Sequence, residues 1–203
     1  MKNKIVKNAA ILTAITLVSG LLLGLVYEIT KEPIRVSQEK AKQEAYQMVL
    51  PEAKAFEETK DFDEKEAEES LKTAEVSGCY VKEAAEAFDG DGKTLGYVVT
   101  TVSKEGYGGE IEISVGILAD GTVSGIEILS ISETAGLGMN AAEPAFKDQF
   151  RDVKTDKFAV KKDDPTGNVD ALSGATITSR AVTNAVNAGL AYYQNVLGGS
   201  VNE

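Results

Sequence analysis

The 203-residue chain carries 21 basic and 32 acidic side chains, a net charge of −11, with one cysteine and neither histidine nor tryptophan. That length suits one domain plus an appendage, and an acidic surface repels phosphate backbones, so nucleic acid is excluded as a partner. Lack of histidine excludes Ser-His-Asp and Cys-His catalysis, His-ligated haem and the usual zinc sites. Cys79 alone makes neither an internal disulfide nor an iron–sulfur ligand set. Within Gly-Cys-Tyr-Val it reads as a small buried hydrophobe in a strand. Redox chemistry, if any, would therefore sit on an organic cofactor.

Ala9 to Tyr27 is a run of nineteen residues without a charge. At 1.5 Å per residue it reaches about 28 Å, enough for a hydrocarbon core. A cleavable signal would have a shorter apolar region and a small-residue cleavage site, whereas this run exits into Tyr-Glu-Ile-Thr-Lys-Glu-Pro. A lipoprotein signal needs a cysteine, and none lies nearby. The run reads as a retained anchor. Lys2, Lys4 and Lys7 precede it and no acid occurs before Glu28, so beyond Tyr27 the balance is 18 basic against 32 acidic residues. That asymmetry places the N-terminus in the cytoplasm and the main domain outside, in a single-pass cell-membrane protein. The expected organisation is residues 1–8 inside, 9–27 in the membrane, 28–73 a juxtamembrane helical and acidic segment, and 74–203 the extracytoplasmic domain.

Pro33 is expected to start a helix that ends by Pro51, with Ile34, Ala41, Ala45 and Met48 or Val49 on one side. It would stand the domain off the membrane, dock on a partner, or pack on its own domain. Residues 52–73, rich in Glu, Lys and Asp, read as a solvated helix or a loop. Asp61-Phe-Asp63 lacks the glycine and later ligands of a calcium loop. Strands are expected at 76–82 and 95–103, joined by a turn at Asp89-Gly-Asp-Gly-Lys93, where Lys93 occupies a position a calcium loop would give to a ligand. In residues 110–118, Ile111, Ile113, Val115 and Ile117 alternate to one side, and Asp120-Gly121 marks a hairpin into residues 122–130.

This predicts an antiparallel meander of about four strands whose apolar face needs a cover. Two helices can supply it, one at 141–150 and one after Thr178 with Val182, Val186, Leu190, Tyr193 and Leu197 at helical spacing, ended by Gly198-Gly199. A short strand at 158–162 and a loop at 163–169 lie between them. The fold class is α+β, an antiparallel sheet covered by helices.

Three connections carry small residues and hydroxyls. Gly106-Tyr107-Gly108-Gly109 joins two strands, and alone it is a hairpin loop. Ser132-Glu133-Thr134-Ala135-Gly136-Leu137-Gly138-Met139 follows a strand, and alone it is a connection with glycines at positive φ. Asp170-Ala-Leu-Ser173-Gly174-Ala175-Thr176-Ile-Thr178 runs into the second helix, where it serves either as a Ser/Thr-rich cap or as an anion site on the helix N-terminus. Gathered at one end of the sheet, the three suit a flat anionic ligand. A hydrolytic reaction fits less well, since no general base of suitable pKa is evident.

Asp170-x-x-Ser173-Gly174-Ala175-Thr176 resembles the Asp-x-x-Ser/Thr-Gly-Ala-Thr signature of covalently flavinylated FMN-binding domains. Ser132–Gly138 is similar to that family's Ser-Glu-Thr-Pro-Gly-Leu-Gly, and Gly106–Gly109 to its Gly-Tyr-x-Gly loop. The resemblance spans essentially the whole chain. It is strongest to the G subunits of Rnf-type ion-translocating ferredoxin:NAD oxidoreductases; the C subunits of Na⁺-pumping NADH:quinone reductase, usually longer chains, are the alternative. Ala135 and Glu110 stand where the family has proline, which loosens one loop and adds a charge near the other.

The resemblance implies FMN joined through a phosphoester to Thr176 by a flavin transferase, in a chain that relays electrons among the membrane and peripheral subunits of one redox complex. It implies that Ser173 and Gly174 shape the turn, that Ala175 leaves room, and that Asp170 orients the loop or assists the transferase. Glu133 and Thr134 would bond the polar edge of the flavin, Leu137 and Met139 would pack on its ring, and Gly138 and Tyr107 belong to the companion loops. Thr178 is expected to be a helix cap. A membrane-tethered flavin sensor without turnover is a second reading. A pseudopilin-like anchor is a third, ranked last because the acidic residue such helices carry near their start is missing.

Overall fold

The computed structural model describes residues 2–59 and 62–198. Asp61 of the calcium-loop comparison and Gly199 of the expected helix stop lie outside them. The chain divides into two compact units, one up to Ala41 and one from Lys42.

The first unit is helical. Helix α1, Lys2–Val49, runs on into the second unit. Leu12, Ile15, Leu17, Val18, Leu21, Leu22, Leu23, Leu25 and Val26 are all exposed, around the whole circumference. A helix apolar on every side suits lipid rather than water, and this one is long and apolar enough to cross a membrane. Pro33 lies inside α1 and does not open a new helix. It costs one backbone hydrogen bond, which the long run of helical residues on either side tolerates.

The second unit is built on a five-stranded sheet: β1 (Ala55–Glu58), β2 (Cys79–Phe88), β3 (Thr94–Ser103), β4 (Ile111–Leu118) and β5 (Val123–Ser130). Every neighbouring pair is antiparallel and the spatial order is β1-β2-β3-β4-β5, a plain meander. The turns are those the sequence indicates. Asp89 Oδ1 accepts the N–H groups of Asp91 and Lys93 at 2.9 Å each. Gly121 takes φ 85°, and Asp120 Oδ1 accepts the Thr122 N–H at 2.9 Å.

Each face of the sheet has its own cover. Helix α4 (Thr176–Tyr192) lies on one, bringing Ala181, Val182, Ala185, Val186 and Leu190 against Val99, Ile113, Val115 and Ile117, all at most 1 % exposed. Each such branched side chain contributes about 1.5–3 kcal/mol by leaving water. Gly189 permits the close approach: a Cβ there would come within 3.2 Å of Val115 Cγ2. The other face is closed by the last turns of α1, where Tyr46, Val49 and Leu50 meet Ala85, Ala87 and Val98. Ser124 Oγ donates to the Val49 carbonyl at 2.6 Å. Lys42 adds bonds to Glu58 (3.1 Å) and Glu83 (3.2 Å). Burial opposes its charge, but these carboxylates outweigh burial and hold its pKa above the ordinary value.

The segment expected to be solvated, residues 52–73, contributes both β1 and α2 (Glu64–Thr73) to the folded unit. Asp63 caps α2 by accepting the Lys65 N–H at 2.8 Å, and Ala67 and Leu71 are buried. The helix expected at 141–150 is three short pieces: a 3₁₀ turn at Gly138–Ala142, α3 (Pro144–Lys147) and a second 3₁₀ turn at Asp148–Phe150. Pro144 has no N–H to continue a helix from the preceding turn, so it opens a new one. The strand expected at 158–162 is a single parallel bridge between Val160 and Val169. Helix α4 starts at Thr176, earlier than expected, and ends in a π turn at Tyr193–Leu197 capped by Gly198.

Candidate functional site

The three connections singled out in the sequence meet beside the N-terminus of α4. Residues 104–110 turn from β3 to β4, residues 131–137 leave β5, and residues 170–175 lead into α4. Glu133 ties them together. Its Oε1 accepts the Gly108 N–H at 3.2 Å, its Oε2 accepts the Thr178 hydroxyl at 3.1 Å, and it is only 9 % exposed. A buried carboxylate is tolerated because both oxygens are bonded. Glu133, expected to bond a ligand, here bridges the β3–β4 loop and the first turn of α4.

Glycines make the closeness possible. A Cβ on Gly138 would lie 2.6 Å from Thr178 Oγ1 and 2.7 Å from Glu133 Cβ, and one on Gly108 would collide with the Ser132 carbonyl oxygen. Gly174 takes φ 73°, which lets the Ala175 N–H close a turn on the Leu172 carbonyl at 3.1 Å. Ser179 supports that turn from below. Its hydroxyl donates to the Ala175 carbonyl at 3.0 Å and accepts the Leu172 N–H at 2.9 Å.

Ala175 occupies the cap position of α4, and no side chain caps the helix. Thr178 is therefore not the cap expected: it is the third residue of α4, buried, with its hydroxyl committed to Glu133. Thr176 is the first residue, and its Oγ1 accepts a hydrogen bond from Lys162 Nζ at 2.9 Å. No local pattern in the sequence signals Lys162, which reaches Thr176 from a separate loop.

Around this point lies a cleft of about 590 Å³. It is lined by Thr134, Leu137 and Gly138, by Gly174 to Thr178, and by Tyr107 and Glu133. Of the residues expected at the site, Tyr107, Glu133, Thr134, Leu137, Gly138, Gly174, Ala175 and Thr176 line it; Ile177 and Thr178 join them unforeseen. Asp170 and Ser173 face a neighbouring cleft beside Gln149. There the Asp170 carboxylate accepts from Lys161 Nζ at 2.8 Å, and its backbone N–H donates to Gln149 Oε1 at 2.7 Å. Met139 does not line the cleft, and its N–H donates to the Thr134 carbonyl at 3.2 Å.

The cleft combines two chemistries. Its rim is apolar and exposed, with Tyr107, Leu137 and Ile177 open to solvent. The N-terminus of α4 opens onto the cleft, and Lys162, which does not line it, reaches Thr176 from outside; both favour a negative charge there. Its volume is in the range of small-molecule sites, roughly 300–1,000 Å³. An exposed apolar rim beside a helix N-terminus suits a flat ligand that carries a negative charge.

A larger groove, about 770 Å³, lies between α2 and β2. Leu71, Val76, Cys79 and Val81 form its apolar part and Glu64, Glu68, Lys72 and Lys82 its charged part. Burial pushes the Cys79 thiol up to about 11, which keeps it protonated and inert at neutral pH.

Residues 106–191 match the family model described as FMN-binding domain, which sets the class of the folded unit. Residues 1–49 match the model described as RnfG N-terminal region. The chain is 36% identical over 176 residues to the G subunit of the proton-translocating ferredoxin:NAD(+) oxidoreductase complex of Clostridium ljungdahlii, covering 86% of this chain and 84% of that one. It is 34% identical over 197 residues to the G subunit of the Na(+)-translocating complex of Acetobacterium woodii, covering 94% and 92%. Among solved structures it is similar to Shewanella oneidensis NqrC, with 24% identity, a TM-score of 0.49 and coverage of 59% of this chain and 60% of that one. The chain belongs to the family of G subunits of ion-translocating ferredoxin:NAD(+) oxidoreductase complexes.

Proposed function

We propose that this chain is an electron-relay flavoprotein subunit of an ion-translocating ferredoxin:NAD⁺ oxidoreductase, carrying FMN joined by a phosphoester to Thr176. The observation that carries the reading is Thr176 itself. It opens α4 and lines the cleft, where no side chain caps the helix and a cation donates to its hydroxyl oxygen. FMN bound there supplies one- and two-electron transfer. The protein's share is positioning: Gly174 and Ala175 bring the backbone close, Leu137, Ile177 and Tyr107 offer apolar contact, and Glu133 fixes the spacing of the loops.

A covalent tether suits a domain outside the membrane, where a cofactor held only by equilibrium binding would be lost to dilution. Lys2, Lys4 and Lys7 ahead of the apolar helix support a cytoplasmic N-terminus and an extracytoplasmic domain. A flavin transferase is then the maturation partner, and the other subunits of the complex supply and take the electrons.

The test is to export the chain together with a flavin transferase and measure its intact mass. The wild-type chain should gain the mass of FMN less one water. Thr176→Val should gain nothing, while Thr178→Val should keep the adduct despite losing its bond to Glu133. An unmodified wild-type mass, or an adduct that persists in Thr176→Val, refutes the reading.

A further inference from the structure

Three consecutive residues each hold a different point of the stretch around Thr176. Lys161 Nζ pairs with Asp170 at 2.8 Å, Lys162 Nζ donates to Thr176 Oγ1 at 2.9 Å, and Asp163 receives both Nε and Nη2 of Arg180. The backbone reinforces this register: Lys161 N–H donates to the Val169 carbonyl at 2.9 Å, and Val169 N–H to the Ala159 carbonyl at 3.0 Å. Lys162 is therefore aimed by ion pairs on both sides and by main-chain pairing, more than by its own flexible stem. Its neighbours are committed to opposite charges, Lys161 to Asp170 and Asp163 to Arg180, whereas it faces the neutral hydroxyl of Thr176 beside an anion-favouring cleft. A lysine stationed on a neutral oxygen is poised for a negative charge added at that oxygen.

We propose that Lys162 is the positioning residue for the flavin phosphate at Thr176, an inference that rests on the tether reading. Before attachment it holds the hydroxyl oxygen by one lone pair and leaves the other free. In the attachment step the Thr176 Oγ–P bond forms and the phosphoanhydride P–O bond of a flavin dinucleotide donor breaks. The nucleoside monophosphate departs, the hydroxyl proton passes to solvent, and nothing is oxidised or reduced. Afterwards the ammonium group neutralises the single charge of the phosphodiester.

The experiment uses the full-length chain in detergent with a purified flavin transferase and flavin adenine dinucleotide, following the adduct by intact mass. Lys162→Ala should slow its formation about tenfold, the scale of one partly screened charge-assisted hydrogen bond. Lys162→Arg should restore the rate to within about threefold, because the charge is kept. Lys157→Ala, an exposed lysine nearby, should leave it unchanged. Added salt should slow the wild-type chain more than Lys162→Ala, since only the former has the charge to screen. Equal rates and equal salt dependence in wild type and Lys162→Ala overturn the assignment while the tether stands. Lys162→Arg as slow as Lys162→Ala overturns it too, by showing that charge is not what matters. No adduct on the wild-type chain overturns the tether reading and this inference with it.

Discussion

Two of the hollows among the described residues of the folded unit are built from opposite materials. The groove between α2 and β2, about 770 Å³, is lined mostly by side chains of regular elements, among them Leu71, Val81, Glu68, Lys72 and Lys82. The cleft at the start of α4, about 590 Å³, is walled largely by loop backbone and small residues. An amphipathic helix docked on a sheet leaves a hollow of the first kind as a by-product of shape. The second kind needs Gly174 at positive φ, Gly108 and Gly138 where no Cβ fits, and a buried glutamate bonded at both oxygens. Such features are costly to fold and persist where a fixed geometry is used. On the proposed reading, the larger hollow belongs to stability and the smaller one to function.

That division can be broken by experiment. The largest effect is expected at Leu71, 4 % exposed beneath α2. Leu71→Ala should lower the unfolding free energy by about 2–4 kcal/mol in urea titrations while leaving the rate of flavin attachment unchanged. A parallel loss of attachment would show that the two hollows are not separable. Gly138→Ala should do both things at once. Its Cβ would meet Thr178 Oγ1 at 2.6 Å and Glu133 at 2.7 Å, so overpacking should cost about 1–3 kcal/mol and slow attachment by displacing the loop. Unaltered stability and attachment would mean that the loop moves freely and Glu133 sets nothing.

The smallest effect concerns alkaline pH. Burial raises the Cys79 thiol from 9.0 to about 11, and the Tyr46 and Tyr192 phenols from 10.0 to about 12. Each folded-state value lies above its ordinary one, so the contribution is complete at neutral pH. It is lost as pH rises through the folded value, because the unfolded chain gives up the proton first. Stability should fall across pH 9 to 12, and Cys79→Ala should flatten the part below about pH 11 by on the order of 1–2 kcal/mol. An unchanged pH profile in Cys79→Ala would place the thiol in water.

The sequence was most legible where one local rule decided the structure. The alternation of Ile111, Ile113, Val115 and Ile117, the Asp120-Gly121 turn and the spacing from Val182 to Leu197 all appear as read. It was least legible where tertiary contact decided. Strand β1 is four mostly exposed residues whose pairing with β2 nothing local announces. In α2 the acids conceal Ala67 and Leu71, which give the helix its buried side. Pro33 pointed to a boundary that the continuous α1 does not have. At the site, signature residues read by resemblance mostly line one cleft. Ser173 and Asp170 face away because the Gly174 turn and Lys161 direct them elsewhere. Thr178 looked like a cap because hydroxyls near helix starts usually are, but Glu133, distant in sequence, claims it. Lys162 could not be found from its own neighbourhood, since what defines it is the oxygen it reaches.

On the proposed reading one oxygen, that of Thr176, carries the flavin. Tryptic cleavage after Lys162 and Arg180 isolates residues 163–180, which hold Thr166, Ser173, Thr176, Thr178 and Ser179 together. Tandem mass spectrometry of that peptide, from chain matured with a flavin transferase, locates the adduct directly. A tether at Thr176 gives fragment ions carrying FMN less one water on Thr176 and on no other hydroxyl; an adduct on Thr178 or Ser173, or a peptide without flavin, contradicts it.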